Sequence, residues 1–138
     1  MSDAGVTCDT SVLVPALMTW HDQHEVARRA VDEDVTSLVA HVLAETFSVG
    51  TRLPEPYRTS ANTMIGLLES LPHAVVGLSA DRVRPALRRM SGFGVWGGRT
   101  YDGLIHATAV EHGLLLLTLD RRARHTYDAL GQNVRLLA

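Results

Sequence analysis

Short apolar segments alternate along this chain with longer segments in which apolar residues recur at helical spacing. The short segments are residues 6–8, 35–40, 74–78, 114–119 and 134–137, and each has the length of a β-strand. Apolar residues three or four positions apart, typical of helices packed on one face, fill the stretches between them. Strands that alternate with helices predict an α/β fold, in which a parallel sheet is sandwiched by helices.

Capping residues, prolines and glycines mark the ends of the predicted helices. Ser11 and Ser79 stand where an N-cap is expected, and the prolines at 54, 56 and 72 interrupt helical spacing. Residues 91–99 contain four of the eleven glycines, so a mobile loop is predicted there. Helices are predicted after Ser11 and over residues 22–32, 41–53, 60–71, 80–90 (with a kink at Pro85), 101–111 and 121–130.

Length, apolar content and cysteine usage bound the class of protein. At 138 residues and 46% apolar composition, the chain is expected to form one compact domain. Its longest aliphatic run, residues 114–117, is far shorter than the roughly 20 residues of a membrane helix. Cys8 is the single cysteine, and the N-terminus lacks the features of a secretory signal. A soluble cytoplasmic protein is therefore expected.

The charge balance limits how a nucleic acid could be held. Thirteen basic residues, all of them arginine, stand against fifteen acidic residues, for a net charge of −2. Because the global positive charge of many nucleic-acid-binding proteins is missing, such a partner would need a local basic patch. The absence of lysine excludes sites that require an ammonium group. It also counts against a phospho-receiver domain, the competing signalling interpretation of aspartates at strand ends.

Four acidic residues fall where predicted strands end or helices begin. Asp9 follows the first strand, and Glu45 lies in the early part of the helix after the second. Asp102 begins the helix before the fourth strand, and Asp120 follows that strand directly. In a right-handed parallel arrangement, strand C-termini and the N-termini of the following helices share one edge of the sheet. The topology therefore predicts four carboxylates at that edge.

Such a cluster would not persist without compensation. Two carboxylates about 5 Å apart repel by roughly 3 kcal/mol at an effective dielectric constant of 20. Oxygen ligands without neighbouring histidine or cysteine suit Mg²⁺ or Mn²⁺ better than zinc. A single acidic residue is usually a solvated surface group, but Asp9 and Asp120 each end an apolar strand, which favours a shared function.

At these positions the sequence resembles the PIN domain and, more narrowly, the VapC-type toxin ribonucleases. The resemblance rests on VTCDTSVL at residues 6–13, Glu45 within a helix, YDGLIHATA at 101–109 and LLLTLD at 115–120. It runs over nearly the whole chain in the right order, with the acids 36, 57 and 18 residues apart. The chain departs from many relatives after Asp120, where Arg121-Arg122-Ala123 replaces an aromatic residue; this departure concerns packing rather than the acids.

The resemblance implies a Mg²⁺- or Mn²⁺-dependent endoribonuclease that hydrolyses RNA with metal-activated water and leaves 5′-phosphate and 3′-hydroxyl ends. It implies a cognate antitoxin protein that occupies the acidic site or its rim, and a homodimer. Two alternatives stay open: a PIN-domain RNA nuclease outside toxin–antitoxin systems, and a PIN domain that has lost catalysis and serves as a binding module. The implied metal ligands are Asp9, Glu45, Asp102 and Asp120, and the implied orienting hydroxyls are those of Thr10, Ser11 and Thr118.

RNA must reach an acidic pocket, so arginines on its rim are expected to contact the flanking phosphates. An aromatic side chain of the glycine-rich loop is a candidate for stacking on a base. The alternative for each arginine is a solvated surface charge. The candidates by position are Arg99, Arg121, Arg122 and Arg124, with Trp96 or Phe93 for stacking.

Three other signals carry less information. Residues 92–97 match G-x-G-x-x-G, but a helix rather than a strand precedes them, so a flexible loop is predicted instead of a dinucleotide site. The histidines, including His21, His24 and His106, lack an HExxH motif or a cysteine partner and are predicted to be satisfied surface or core residues. Cys8 is predicted to be a small core residue rather than a nucleophile.

Overall fold

The computed structural model describes residues 5–137, and strands and helices alternate through that range as the sequence predicts. The five strands of this range are β1 (Val6–Cys8), β2 (Ser37–Val39), β3 (Ala74–Val76), β4 (Leu115–Thr118) and β5 (Val134–Leu136). Its seven α-helices are α1 (Thr10–Leu17), α2 (His24–Arg29), α3 (Ala40–Arg52), α4 (Ala61–Glu69), α5 (Ala80–Gly92), α6 (Thr100–Glu111) and α7 (Arg121–Leu130).

All strand pairs run parallel, which confirms the predicted fold class. Strand β4 lies between β1 and β5, with Cys8 opposite Leu117 and Leu117 opposite Arg135. Strands β2 and β3 form a second parallel pair. The two groups meet where the backbone N–H of Thr36 donates a 2.8 Å hydrogen bond to the carbonyl of Val6. Because every strand points the same way, their C-terminal ends share one edge.

Two predicted boundaries are wrong. In place of one helix over residues 22–32, the α-helix α2 ends at Arg29, and a π-helical segment, Ala30–Asp34, follows it directly. Val31 in this segment is buried in the core. The loop predicted over residues 91–99 is shorter, since its first two residues belong to α5 and Gly97–Arg99 form a 3₁₀ turn. Within the remaining loop, the side chain of Val95 is buried and its N–H donates to the Met90 carbonyl at 2.9 Å.

The core joins β1 and β4 to α1, α6 and α7. Cys8 is fully buried there, as predicted, and burial raises the pKa of its thiol. A close approach of α4 fixes α3, since a Cβ on Gly50 would lie 2.6 Å from the Met64 sulfur. Within residues 5–137 no helix combines the length and apolar character needed to cross a bilayer.

Candidate active site

Two of the four acids cap helices at the shared edge of the sheet. Asp9 is the N-cap of α1 and accepts a 3.0 Å hydrogen bond from the backbone N–H of Ser11. Asp120 is the N-cap of α7 and accepts from the N–H groups of Arg122 at 2.9 Å and Ala123 at 3.3 Å. Each carboxylate therefore satisfies helix donors that lack an intrahelical partner, and it faces the positive end of the helix dipole.

The other two acids reach the same place from α3 and α6. Glu45 lies in the first half of α3, and Asp102 lies in the first turn of α6. The structure brings all four predicted acids together around one cavity of about 280 Å³, here called the acidic cavity. Its lining residues are Asp9, Thr10, Ser11, Glu45, Ser48, Val49, Arg52, Asp102, Asp120 and Ala123.

Asp9 is the most enclosed of the four, with 3% of its surface exposed. Its Oδ1 accepts from the Ser11 hydroxyl at 2.5 Å, and its Oδ2 accepts from the Tyr127 hydroxyl at 2.8 Å. Burial raises the pKa of Asp9, and these hydrogen bonds oppose the rise because they stabilise the ionised form.

A pair of hydroxyls links the two capped helices. The Ser11 Oγ accepts from the Leu119 N–H at 2.8 Å and lies 3.2 Å from the Thr118 Oγ1. Because Ser11 gives its single proton to Asp9, Thr118 is the donor in that contact. The Thr118 oxygen in turn accepts from the Asp120 N–H at 3.1 Å. The hydroxyls thus join the end of β1 to the end of β4.

Glu45 is held by two side chains. The Thr10 hydroxyl donates to Oε1 at 2.7 Å, and His41 Nε2, one turn earlier on α3, lies 3.4 Å from Oε2. The His41 ring stacks on Tyr101, with centroids 5.4 Å apart and planes 6° from parallel. His41 therefore joins Glu45 to the residue that precedes Asp102.

The four acids interact electrostatically. Partial burial, followed by the charges of Asp9, Glu45 and Asp120, raises the pKa of Asp102 to about 6. The nearby Tyr127 hydroxyl opposes this rise. Four acids and a single arginine, Arg52, line the acidic cavity, which therefore carries an excess of negative charge.

This donor set fits a hard divalent cation in its chemistry. Within residues 5–137, no three acidic, histidine or cysteine side chains converge as a preassembled metal site. Both carboxylate oxygens of Asp9 accept hydrogen bonds from internal donors, Ser11 and Tyr127. All four candidate ligands nevertheless offer oxygen, and their repulsion is of the kind that Mg²⁺ or Mn²⁺ relieves.

A second cavity, of about 670 Å³, adjoins the acidic one and shares Asp102 and Asp120 with it. We call it the arginine cavity. Arg99 is fixed in it, because its Nε donates to the Thr126 hydroxyl at 2.9 Å. The residues that line it are Gly98, Arg99, Asp102, Asp120, Arg121, Arg122, His125 and Thr126.

The remaining predicted RNA contacts lie outside the lining of both cavities. Arg124 pairs with Asp128 one turn along α7, at 3.4 Å. Trp96 is 66% exposed, and the Phe93 ring packs under the Arg89 guanidinium, 4.8 Å from it. Of the six candidates, Arg99, Arg121 and Arg122 therefore line the arginine cavity, and the other three do not.

Sequence reasoning missed Tyr127 and His41. Tyr127 is fully buried and contacts Asp9 from α7. Its position seven residues after Asp120 was a usable signal, since two helical turns return a side chain to the same face. His41 likewise precedes Glu45 by four residues on one helix face, a spacing at which side chains meet.

The histidines outside the site behave largely as predicted. His24 Nδ1 lies 2.8 Å from the Pro15 carbonyl, and His21 Nδ1 accepts from the Gln23 N–H at 3.1 Å. The prediction of a satisfied side chain is wrong for His106. Its Nε2 is buried without a hydrogen-bond partner in the described part of the chain, because the ring packs closely against Gly131. Burial lowers the pKa of His106.

Comparisons with known proteins agree with this architecture. The chain is 41% identical over 130 residues to ribonuclease VapC40 of Mycobacterium tuberculosis, covering 94% of this chain and 96% of that protein. The solved structure of Mycobacterium tuberculosis VapC20, described as a toxin that cleaves the sarcin-ricin loop, superposes with a TM-score of 0.69 at 18% identity. That match covers 88% of this chain and 94% of VapC20.

A second solved structure shares the fold. VapBC2 from Rickettsia felis, bound to a DNA fragment from its promoter, matches with a TM-score of 0.66 at 14% identity. The match covers 96% of this chain and 98% of that one. The family model of the PIN domain matches residues 6–129. With its fold, its four acids and these relatives, the chain belongs to the PIN domain family.

Proposed function

We propose that this chain is a metal-dependent endoribonuclease and the toxin of a VapBC-type toxin–antitoxin pair. One observation carries the proposal: four carboxylates from four different elements line one cavity. The chain that carries them is 41% identical to a protein named as a ribonuclease. A binding module would not need to sustain the burial and the repulsion that together raise the pKa of Asp102.

Asp9, Glu45, Asp102 and Asp120 would hold one or two Mg²⁺ or Mn²⁺ ions. When bound, such an ion supplies a water of lowered pKa and stabilises negative charge on the scissile phosphate. The chain's own hydroxyls hold the carboxylates in place for this role. Thr10 fixes Glu45, and Ser11 with Thr118 fixes Asp9.

The arginine cavity would take the RNA backbone beside the cleavage point. Arg121 and Arg122 are exposed at the start of α7, and Arg99 faces the same cavity. Because the cavity shares Asp102 and Asp120 with the acidic one, a phosphate bound by these arginines lies next to the acids. The net charge of −2 makes this local patch necessary for binding a polyanion.

The proposed protein partner is a cognate antitoxin that covers the acidic site or its rim. The structural match to VapBC2 supports a toxin fold of the kind found in such pairs. We further propose a homodimer, which light scattering on the purified protein tests directly.

RNA cleavage in vitro tests the enzyme activity. The purified protein, incubated with total cellular RNA and Mg²⁺, is expected to give discrete fragments with 5′-phosphate and 3′-hydroxyl ends. EDTA should stop cleavage, and Mg²⁺ or Mn²⁺ in excess should restore it. Cleavage that is unchanged in EDTA but lost in Asp102→Asn protein would contradict the proposed metal dependence.

Expression in cells tests the toxin role separately. The chain expressed alone is expected to arrest growth, and co-expression of the neighbouring antitoxin gene should relieve the arrest. The Asp102→Asn variant, expressed to the same level, is the control and should permit growth. Normal growth of cells that hold active wild-type enzyme would favour a PIN-domain nuclease outside toxin–antitoxin systems.

A further inference from the structure

We infer that Tyr127 is a positioning residue of the metal site: its hydroxyl limits the directions in which Asp9 presents its remaining oxygen lone pairs to a divalent cation. The inference rests on the proposed function, because it assigns a role within the same site. It concerns a residue that lies outside the acidic motif and outside the lining of the acidic cavity.

The contact is a buried one between distant parts of the chain. Tyr127 has no exposed surface and Asp9 has 3%, and their oxygens lie 2.8 Å apart although the residues are 118 positions apart in sequence. Water cannot easily replace a donor at such a place, so the orientation of Asp9 Oδ2 depends on the tyrosine.

The acceptor positions on the Asp9 carboxylate show how the hydrogen bond from Tyr127 affects cation binding. A carboxylate has about four acceptor positions, two on each oxygen. On Asp9, Oδ1 accepts from both the N–H and the hydroxyl of Ser11, and Oδ2 accepts from Tyr127. The Thr118 hydroxyl is a further hydrogen-bond partner of Asp9, so few acceptor positions are left for a cation, and the tyrosine on Oδ2 limits where they point.

The helix that carries Tyr127 extends the argument to a second acid. Asp120 caps α7, and Tyr127 lies two turns further along it. The bond from Tyr127 to Asp9 therefore ties α7 to the start of α1, in addition to the strand pairing and the hydroxyl contacts that join the ends of β1 and β4. A phenylalanine would fill the same space and pack equally against His106, whose ring lies 6.1 Å away, but it would not make this tie.

Titration of metal into Tyr127→Phe protein tests the inference. Mn²⁺ binding is measured by calorimetry below the melting temperature of each variant, without RNA. The expected result is a dissociation constant about 10- to 100-fold higher than in the wild type, the usual effect of losing a group that orients a ligand. The matched control is Thr108→Val, which also removes one buried hydroxyl hydrogen bond, from Thr108 to the Leu104 carbonyl, away from the site. It should bind Mn²⁺ as the wild type does.

The outcomes separate this inference from the proposed function. Wild-type affinity in Tyr127→Phe would overturn the role of Tyr127 and leave the nuclease proposal intact. Equal weakening in Thr108→Val would also overturn it, since the loss would then reflect general stability. Absence of Mn²⁺ binding in the wild type would overturn the metal-dependent proposal itself.

A measurement on wild-type sequence covers the case in which Tyr127→Phe fails to fold. The chain has three tyrosines, so 3-fluorotyrosine labelling gives three ¹⁹F signals, and Tyr57→Phe and Tyr101→Phe assign two of them by loss. The Tyr127 signal is expected to shift on Mg²⁺ addition, with the same midpoint as calorimetric binding. A signal that stays unchanged while Mg²⁺ binds would overturn the inference.

Discussion

The hydroxyl of Thr10 donates a 2.7 Å hydrogen bond to the carboxylate of Glu45, and this bond fastens the start of α1 to the first half of α3. Glu45 is the one acid of the four that lies away from a helix end. It therefore depends on side chains for its orientation, whereas Asp9 and Asp120 are also held by backbone N–H groups.

Replacing Thr10 by valine should lower cleavage about tenfold while the fold is kept, because the shape is preserved and only the hydrogen bond to Glu45 is lost. Glu45→Gln should be more severe, since it removes the charge. Initial cleavage rates at saturating Mg²⁺ provide the measurement. Thr51→Val is the matched control, because Thr51 lies on α3, the same helix as Glu45, and its hydroxyl donates to the Phe47 carbonyl instead. A loss of equal size in both threonine variants would contradict this role of Thr10.

Asp9→Asn, Asp102→Asn and Asp120→Asn should each reduce cleavage at least about 100-fold, the scale seen when a group that stabilises transition-state charge is removed. Circular dichroism should show that each near-isosteric variant is folded. Asp128→Asn is the control, since Asp128 is exposed and pairs with Arg124 rather than facing the acidic cavity. Full activity in any of the three site variants would remove that residue from the proposed metal set.

The contribution of Asp102 to the stability of the metal-free protein should fall as the pH rises. The pKa of Asp102 goes from 3.8 to about 6 on folding, so the folded state binds that proton more tightly than the unfolded state does. Protonation therefore stabilises the fold, and the gain is lost as the pH rises through the folded pKa; Asp9, whose pKa is also raised, acts in the same direction.

Urea unfolding in EDTA, at about pH 5 and about pH 7, measures this effect. The lowered pKa of His106 acts in the opposite direction, so the comparison between proteins is decisive: the change from the lower to the higher pH should be less favourable in the wild type than in Asp102→Asn. An identical difference in both proteins would show that Asp102 is not the group responsible.

Mg²⁺ should stabilise the wild type more than Asp120→Asn. Asparagine caps a helix as well as aspartate does, so the start of α7 is preserved while one negative charge is removed. Without metal, the variant should melt higher, by about 3 °C if about 1 kcal/mol of repulsion is relieved. Thermal melts with and without saturating Mg²⁺ give both values. A wild-type melt that saturating Mg²⁺ leaves unchanged would argue against the site, because a ligand bound to the native state must raise its stability.

Arg121→Ala and Arg122→Ala should each raise KM for RNA several-fold with little change in kcat, because each arginine is expected to contact a phosphate. For the same reason, the KM of the double variant should depend less steeply on salt concentration. Arg124→Ala is the control, since that side chain lies on the same helix but pairs with Asp128. Cleavage kinetics at two salt concentrations compare the cavity variants with this control. Equal changes in all three variants would indicate a general charge effect rather than a binding cavity.

The sequence alone determined the order of elements and the edge at which the acids gather. Helix α7 was predicted at its observed bounds, 121–130, and in the structure Asp120 caps its start. The four acids could be assigned to one edge because parallel topology places strand ends and helix starts together, whatever the packing details. The glycine-rich loop was predicted too long, because Ser91 and Gly92 continue α5 and residues 97–99 form a 3₁₀ turn despite their glycines.

Only the tertiary structure decided which partner each acid meets. The contacts of Asp9 with Tyr127 and of Glu45 with Thr10 join residues 118 and 35 positions apart in the sequence. Periodicity identifies the buried face of each helix, but the rotation and sliding of one helix against another are set by how the side chains of the core interlock. That packing turns Tyr127 toward Asp9, and it leaves four carboxylates near enough to raise the pKa of Asp102.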